Sequence, residues 1–323
     1  MNDEITVLSI YEIDSDGIDR LRGYCPGIRV IHTPTLDDME RFVSEADVIL
    51  SLNFSDSLLR RAKKLRWFHA VGAGVNHLLT QDFIKSGVRL TNSRGNHAIP
   101  VSEHAFALLL ALTRRIYRCY EENSILDRWD RVAGDELYGK TIGVLGVGNI
   151  GREIARKARA FGMKVRGFDE VPVYIPYLDE QYLGDQIEAF FTGIDVLVAA
   201  AALTKTNLGI VNKRNIALMN AGSYIINIAR GPLIVEEDLI DALKNGPLAG
   251  AGLDVFCKEP LPKDSPFRAL PNVVLTPHHG GFNPNYATRV VRLFVENFRR
   301  WIQNEALINV VDTSDFILHN EGR

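Results

Sequence analysis

Short apolar runs alternate with amphipathic stretches along the first hundred residues. The runs are rich in β-branched and aromatic residues and predict strands at 5–11, 28–33, 46–52, 65–72 and 88–93. Helical patterns such as SDSLLRRAKK, residues 55–64, lie between them. Strands that recur about every 20 residues with helices between them are typical of parallel βαβ units. The pattern therefore predicts a parallel sheet covered by helices.

A second series of apolar runs begins after Lys140. Six runs predict strands, and they occupy residues 141–148, 163–169, 195–202, 223–230, 251–256 and 273–279. Several of these runs are apolar throughout, as strands covered on both faces are. We therefore predict an α/β protein with two doubly wound parallel-sheet domains.

Two longer patterns predict helices at the joints between these domains. Residues 100–122 begin with a proline and are apolar nearly all round in their first half, so we expect a helix buried between the domains. Residues 283–305 open with an Asn cap and a proline. Their apolar stripe at helical spacing is Val290, Leu293, Phe294, Phe298 and Trp301.

Only a short tail follows the second of these helices, and we expect it to rejoin the N-terminal sheet. The first domain is then discontinuous. The predicted domains are residues 1–100 with 283–323, and residues 101–282.

Composition narrows the class of protein. The 323 residues are 46% hydrophobic and 24% charged, with a net charge of −3 and no long block of like charges. This balance argues against binding nucleic acid or an anionic membrane. The start MNDEITVLSI lacks a secretory pattern, and the longest apolar runs are too short to span a membrane. Cys25, Cys119 and Cys257 have no paired spacing, so we expect a soluble, cytoplasmic protein without disulfides or a metal site.

The strongest chemical motif is a glycine-rich turn between a predicted strand and a predicted helix. Gly146, Gly148 and Gly151 fit G-x-G-x-x-G, the pattern that lets a backbone turn tightly and approach a pyrophosphate. The helix that begins near Asn149 and Ile150 presents amide N–H groups and a positive dipole end to the phosphates. The context predicts a dinucleotide-binding domain.

An acidic residue follows at the end of the next predicted strand. Asp169 stands 18 residues beyond Gly151, where a carboxylate accepts hydrogen bonds from the adenosine ribose hydroxyls. A carboxylate repels a 2′-phosphate, and no Arg or Lys follows in EVPVY. The sequence therefore predicts NAD rather than NADP as the cofactor.

With these features the chain resembles the D-isomer-specific 2-hydroxyacid dehydrogenases over nearly its whole length. The resemblance depends on the phosphate loop followed by NIARGPLIVEEDLIDAL, AGLDVFCKEPLP and NVVLTPHHGG in that order. The earlier VGAGVNHL and VSEHAFALLLAL also match. The resemblance implies a Rossmann cofactor domain, a discontinuous flavodoxin-like substrate domain and a homodimer.

The resemblance also assigns catalytic roles to three residues. Arg230, at the end of SYIINIAR, matches the arginine that binds the substrate carboxylate and polarises the carbonyl. His278, in T-P-H, matches the acid/base that gives its proton to the oxygen, and Glu259 matches the carboxylate that orients this imidazole. Both Arg230 and His278 then lie beside the cofactor as well as the substrate.

Further positions are implied to bind cofactor or substrate. Asp254 resembles the residue that holds the nicotinamide carboxamide, with the backbone of Ala229 and Gly280 close by. The turn that receives the substrate carboxylate on its backbone N–H groups corresponds to Gly72, Ala73 and Gly74.

Two other histidines are interpreted as structural. The family usually has an apolar residue at position 279. In an extended segment neighbouring side chains point to opposite faces, so His278 and His279 are not expected to share the cleft. We therefore predict a structural role near the site for His279. His104, on the first joint helix, is expected to be a hydrogen-bonded core histidine.

Departures from the family pattern leave the substrate open. Asn76 and Ser102 replace common residues, and ALTKTN at 202–207 replaces P-L-T-x-x-T. Asn53 and Phe54 follow the third strand and are candidates to line the substrate site. The predicted reaction is hydride transfer between NAD(H) and a small 2-oxo or D-2-hydroxy acid, as in glyoxylate and hydroxypyruvate reductases. The alternatives are a phosphite-type anion dehydrogenase and an NAD-sensing, corepressor-like binding module.

Overall fold

The computed structural model describes residues 4–126, 128–129 and 131–312. The chain divides into two compact units. Unit 1 comprises Met1–Asn96 and Asn283–Arg323, and unit 2 is His97–Phe282. The first crossing from one unit to the other thus falls after Asn96, whereas the sequence pattern placed it at residue 100.

Unit 1 contains a five-stranded parallel sheet in the order β2-β1-β3-β4-β5, which is the flavodoxin-like order. The strands are β1 (Ile5–Ser9), β2 (Ile28–His32), β3 (Val48–Ser51), β4 (Trp67–Ala70) and β5 (Arg89–Asn92). The helices between them are α1 (Ser15–Tyr24), α2 (Leu36–Phe42), α3 (Asp56–Arg61) and α4 (Gln81–Lys85). All five predicted strands are present.

The helices of unit 1 start where short polar side chains cap them. Asp14 accepts a hydrogen bond from the Gly17 amide at 2.8 Å before α1, and Thr80 accepts one from Phe83 at 3.1 Å before α4. Such caps satisfy amides that have no partner inside the helix. The apolar faces of these helices then cover a sheet whose β1, β3 and β4 are buried along their whole length.

Unit 2 contains a seven-stranded parallel sheet in the order β12-β11-β10-β9-β6-β7-β8. The strands are β6 (Thr141–Leu145), β7 (Lys164–Asp169), β8 (Glu180–Leu183), β9 (Val196–Ala199), β10 (Ser223–Asn227), β11 (Leu248–Leu253) and β12 (Val273–Leu275). Six of them were predicted, and β8 was missed. Its sequence, EQYL, is polar because β8 is a half-exposed edge strand, where Glu180 pairs with Arg166 of β7 at 3.0 Å.

The helices of unit 2 correct the prediction of one continuous helix over 100–122. They are α5 (Ala98–Thr113), α6 (Ile116–Tyr120), α7 (Asn149–Ala160), α8 (Ile187–Phe191), α9 (Lys213–Ile216) and α10 (Glu236–Lys244). Arg115 adopts φ 51° between α5 and α6, and a π-helical turn, Glu121–Ile125, follows α6. The carbonyl of Thr113 accepts a hydrogen bond from the Asp135 amide at 2.6 Å. The Asp135 amide thus occupies the Thr113 carbonyl, which a continuous helix would use for its own next turn. The helix therefore ends at Thr113.

The last helix, α11 (Tyr286–Ile302), belongs to unit 1. It is shorter than the predicted 283–305, and its cap is Asn285 rather than Asn283. Its buried face packs on β4, where Phe294 stacks on Trp67 with ring centroids 5.1 Å apart. After it, Val310 forms an antiparallel bridge with Thr91 of β5. None of the helices in the described residues is long and apolar enough to cross a bilayer.

The parallel strands of unit 2 all end at one edge of the sheet. Residues at or just after these ends include Gly146, Asp169, Arg230, Asp254 and Thr276. In open parallel sheets, ligands bind outside the carboxyl ends of the strands. Asp169, Arg230 and Asp254, which were singled out from the sequence, therefore lie at the sheet edge where ligands are expected to bind.

Candidate active site

The phosphate loop has the geometry that the glycine pattern predicts. Gly146 adopts φ +94°, and a Cβ there would lie 2.4 Å from Ala201 Cα. A Cβ on Gly151 would lie 2.0 Å from the Gly146 carbonyl oxygen, so the helix can approach the turn only with glycine. Gly148 has open space beside its Cα. The loop thus leaves room for a ligand at the N-terminus of α7, where Asn149 and Ile150 begin the helix without a side-chain cap.

A cleft of about 640 Å³ adjoins this loop. Its walls include Gly146, Gly148, Asp169 and Glu170, and the segment 200–207 closes part of it. The carboxylate of Asp169 accepts hydrogen bonds from the amides of Val147 at 2.7 Å and of Glu170 at 2.8 Å. These bonds fix the carboxylate at the end of β7. The residues present therefore fit a dinucleotide, with a glycine cradle for phosphates and a carboxylate for a ribose.

Glu170, which was not singled out from the sequence, also lines this cleft. Its carboxylate accepts a hydrogen bond from the Thr206 hydroxyl at 3.2 Å. This bond connects Glu170 to ALTKTN, the segment at 202–207 whose sequence differs from the family pattern. Within that segment Asn207 bonds the Thr204 amide and the Ala202 carbonyl, both at 2.8 Å. The cleft thus carries two neighbouring carboxylates. The signal was present as the second acid of the dipeptide Asp169-Glu170.

His278 and Glu259 are brought together. The imidazole Nδ1 of His278 lies 2.7 Å from Glu259 Oε2, and Glu259 Oε1 accepts a hydrogen bond from the Phe256 amide at 2.9 Å. The histidine side chain is half exposed. A carboxylate on Nδ1 keeps a proton on that nitrogen and leaves Nε2 to exchange a proton with a ligand. The pair can therefore deliver or accept one proton at a fixed position.

Arg230 stands on a turn that a buried asparagine holds in place. Asn227, the last residue of β10, donates to the Arg230 carbonyl at 3.0 Å and accepts from the Ala229 amide at 3.1 Å. The guanidinium of Arg230 donates to the Ala229 carbonyl at 2.6 Å through Nη1 and is otherwise exposed. Sequence reasoning missed Asn227. The signal was a single amide at the end of an otherwise apolar strand.

Asp254 is buried, and its bonds are directed to the loop that follows β12. Its carboxylate accepts from the Thr276 hydroxyl at 2.6 Å and from the amides of His279 and Gly280, each at 3.0 Å. Oδ1 takes two of these bonds and Oδ2 takes one. One acceptor position on Oδ2 is thus left for the predicted carboxamide contact. Thr276 was not singled out from the sequence.

The predicted reason for separating His278 from His279 is wrong. The segment is not extended, because His278 adopts φ 51° in the left-handed region. The two side chains nevertheless meet different partners. The ring of His279 lies against that of His104 with centroids 4.9 Å apart, and His104 Nε2 lies 2.9 Å from the Thr276 hydroxyl. His104 is hydrogen-bonded, as the core interpretation requires.

The predicted carboxylate-binding turn lies in unit 1, just after β4. Asn92 donates to the Ala73 carbonyl at 2.7 Å, and the Ser93 amide donates to the Gly72 carbonyl at 3.2 Å. In the part of the chain that the structure describes, the amides of Gly72, Ala73 and Gly74 donate to no acceptor. A turn with bound carbonyls and available amides can receive an anion.

Phe54 has surroundings that differ from those expected, whereas no expectation is contradicted for Asn53 or Ser102. Phe54 does not line a cleft, because it is 6% exposed in the core of unit 1 and its ring lies 5.1 Å from that of Phe68. Asn53 is exposed. Ser102 accepts a hydrogen bond from Lys157 at 2.8 Å and so links α5 to α7. No group of three metal-ligating side chains occurs within residues 4–126, 128–129 and 131–312.

Comparison with known proteins shows which family this chain resembles. The family model described as "D-isomer specific 2-hydroxyacid dehydrogenase, NAD binding domain" matches residues 106–280. The glyoxylate reductase of Thermofilum pendens is 30% identical over 321 residues, which cover 92% of each chain. The D-3-phosphoglycerate dehydrogenase of Methanocaldococcus jannaschii is 33% identical over 289 residues, covering 86% of this chain. This chain spans about half of that relative, 54% of its length.

A solved structure extends the similarity to the fold. The NADPH-dependent glyoxylate/hydroxypyruvate reductase of Sinorhizobium meliloti, solved in complex with NADP and sulfate, superposes with a TM-score of 0.76 at 30% identity. The match covers 96% of this chain and 98% of that one. The two parallel-sheet α/β units are therefore an architecture found in this group of enzymes.

Proposed function

Since this chain belongs to the D-isomer-specific 2-hydroxyacid dehydrogenases, we propose that it moves a hydride between NAD(H) and C2 of a small 2-oxo or D-2-hydroxy acid. The observation that carries the proposal is the 2.7 Å pairing of His278 with Glu259. This pair stands at the same sheet edge as Arg230 and the phosphate loop.

The side chains have complementary roles in the proposed reaction. A bound nicotinamide supplies the hydride for reduction and accepts it in oxidation. The exposed donors of Arg230 hold the substrate carboxylate and draw electron density onto the keto oxygen. As C2 gains the hydride, His278 gives its Nε2 proton to that oxygen, and the product is a hydroxyl. Glu259 keeps the Nδ1 proton in place and stabilises the charged imidazole before transfer.

The preference for NAD(H) is supported by the two carboxylates of the cleft. A 2′-phosphate beside Asp169 would lie near Glu170 as well, and like charges brought together cost several kcal/mol. The Sinorhizobium relative carries NADP, so family membership does not decide this point. We expect native protein to bind NADH more tightly than NADPH by about tenfold or more.

Titration of both cofactors tests this preference. Asp169→Ser and Glu170→Gln should each bring the dissociation constants of NADH and NADPH closer together. Glu237→Gln, an exposed acid that does not line the cleft, is the matched control. Tighter binding of NADPH than NADH by native protein would refute the NAD assignment.

The reaction itself is tested with a panel of small 2-oxo acids, followed at the nicotinamide absorbance. We expect turnover of at least one 2-oxo acid, with glyoxylate and hydroxypyruvate as the first members of the panel. Turnover of phosphite alone would favour the anion-dehydrogenase alternative. Cofactor binding without any turnover would favour a binding module.

We further propose that the protein is a homodimer. The segment after α5 exposes a series of large apolar side chains, which are Ile116, Tyr120, Ile125, Leu126, Trp129 and Tyr138. Trp129 is 93% exposed, and so many large exposed apolar side chains within one segment of chain are typical of an interface. A second copy is the expected occupant, because homo-oligomers with two-fold symmetry are the commonest assembly.

Sedimentation across a range of concentrations checks the dimer. The double variant Ile125→Ser with Trp129→Ser should weaken association. Tyr174→Ser removes an equally exposed ring outside this segment and should leave association unchanged. A native protein that sediments as a monomer at all concentrations would refute the proposal.

A further inference from the structure

The loop after β12 is bonded to a single residue at three consecutive positions. The amide of His278 donates to the Asp254 carbonyl at 2.8 Å, and the amides of His279 and Gly280 donate to its carboxylate at 3.0 Å. The position of the His278 side chain is therefore tied to Asp254.

These three bonds to Asp254 hold the backbone of His278 in a strained conformation. His278 has φ 51°, and a residue with a Cβ is strained in the left-handed conformation. Such a conformation persists only when its surroundings hold it. The three bonds to Asp254 are the structural reason that His278 keeps it, with its imidazole directed at Glu259.

Asp254 in turn is held by side chains from two other elements. Burial alone would raise the pKa of its carboxyl, but hydrogen bonds from His104, Thr276 and the amides of Gly280 and His279 outweigh burial and hold the pKa well below its usual range. The carboxylate is 3% exposed and stays ionised at neutral pH. A buried charge with these bonds is costly to disturb.

The direction of each bond follows from the donors available. The Thr276 hydroxyl has one proton, and it donates this proton to Asp254 Oδ1 at 2.6 Å. The Thr276 oxygen must then accept from His104 Nε2 at 2.9 Å, so the His104 proton is on Nε2, which also lies 3.4 Å from Asp254 Oδ1. A series of hydrogen bonds thus leads from His104 on α5 through Thr276 to Asp254, and from Asp254 to the loop after β12.

Packing joins His104 to the same loop. A Cβ on Gly280 would lie 2.9 Å from His104 Cδ2 and 3.0 Å from Asp254 Oδ2, so the loop lies directly against both side chains. The His104 ring also contacts the ring of His279. Movement of His104 would therefore shift the backbone on the C-terminal side of His278.

We propose that His104 and Thr276 are positioning residues for His278, acting through Asp254. This inference rests on the proposed function of His278 as the acid/base. Neither His104 nor Thr276 needs to touch a ligand in this arrangement. Their effect on the reaction is to hold the imidazole where its Nε2 proton can be transferred.

The first test compares threonine variants. Thr276→Val removes the donor and the acceptor with little change of shape, and kcat should fall by roughly 10- to 100-fold, since a misplaced catalytic group costs on this order. KM for the 2-oxo acid should change by less than about twofold, because Thr276 touches no substrate in this arrangement. Thr276→Ser restores the hydroxyl and should recover most of kcat. Thr113→Val, which removes another buried hydroxyl of unit 2, is the matched control.

The second test asks whether the effect passes through His278. In a His278→Ala background, Thr276→Val should cost no further activity. The double variant Thr276→Val with His104→Gln should lose less activity than the product of the two single losses, because both side chains act through Asp254. Equal losses from Thr276→Val with and without His278 would overturn the proposal.

The third test needs no substrate. Hydrogen exchange of the peptide spanning residues 276–282 should be faster in Thr276→Val than in native protein and unchanged in Thr113→Val. If Thr276→Val does not fold, His104→Gln takes its place, with the same expectation. Unchanged exchange in a folded variant would overturn the positioning role. Absence of native turnover on every 2-oxo acid would instead refute the proposed function, while the exchange result would still decide whether the loop is held this way.

Discussion

Two histidines, one in the core of unit 1 and one at the sheet edge of unit 2, have opposite surroundings. His69 is fully buried on β4, and each of its ring nitrogens is hydrogen-bonded to a hydroxyl group. His278 is half exposed and meets a carboxylate. The contrast shows how neighbouring groups decide whether the same side chain serves as a neutral structural group or as a proton carrier.

The bonds of His69 form a directed chain. Trp67 Nε1 donates to the Thr91 hydroxyl at 2.8 Å, so this hydroxyl gives its own proton to His69 Nδ1 at 2.7 Å. Ser93 donates to the Ala70 carbonyl at 3.1 Å, so it accepts from His69 Nε2 at the same distance. Every polar atom is satisfied with a neutral ring. Burial lowers the pKa of His69 to about 3.

The strongest test of the contrast removes the reactive histidine. His278→Ala should lower kcat by about 10²–10⁴-fold, the usual worth of a positioned acid/base, with NADH affinity retained. Steady-state kinetics and cofactor titration measure the two effects. Loss of cofactor affinity in proportion to kcat would show that His278 acts in binding rather than in proton transfer.

The next test addresses the buried histidine through pH. The folded pKa of about 3 lies below the unfolded value of 6.5, so between these values the unfolded chain binds one more proton. The lowered pKa of His69 therefore contributes to the free energy of unfolding. This contribution is complete above about pH 6.5 and declines as the pH falls towards 3, by up to about 1.4 kcal/mol per pH unit.

A His69→Leu variant isolates this contribution. It should be less stable at neutral pH, since Thr91 and Ser93 lose a partner, but its stability should decline less steeply in acid. Denaturant titration followed by tryptophan fluorescence suits the purpose, because Trp67 and Trp301 are both in unit 1. Equal slopes for the two proteins would mean that His69 is not protonated on acid unfolding.

A smaller effect is expected when the carboxylate is neutralised. Glu259→Gln keeps the shape but weakens the hold on the charged imidazole, so kcat for reduction should fall by about tenfold. Oxidation begins from the neutral imidazole and should fall less. Kinetics in both directions provide the comparison. Equal losses would indicate a purely structural role for Glu259.

The smallest effect is expected at the second histidine of the pair. His279→Ala keeps the amide that bonds Asp254 and loses only a ring contact with His104, so kcat should change by less than about threefold. A loss that exceeds that of His278→Ala would reverse the assignment of the proton carrier.

Sequence reasoning predicted most of the fold because apolar runs, glycines and caps are local signals. It missed β8, whose polar residues suit an edge strand, and the break at Arg115, which depends on the distant Asp135. At the site, the resemblance identified Glu259 and His278, and the structure adds their distance. Thr276 escaped notice because its bond to Asp254 joins a loop to a separate strand end, which periodicity cannot reveal. Asn227 bonds only the turn that follows it, but a single amide at the end of an apolar strand gives no periodic signal.

The insertion of unit 2 between the two parts of unit 1 has a consequence for biosynthesis. Phe294 and Phe298 of α11 pack on Trp67, a residue made much earlier. At roughly 5–20 residues per second, a ribosome needs on the order of 10–40 s to make the intervening segment. During that interval one face of the first sheet lacks its covering helix. We therefore expect unit 2 to fold first on the ribosome, and the nascent first sheet to be a target for chaperones until α11 emerges.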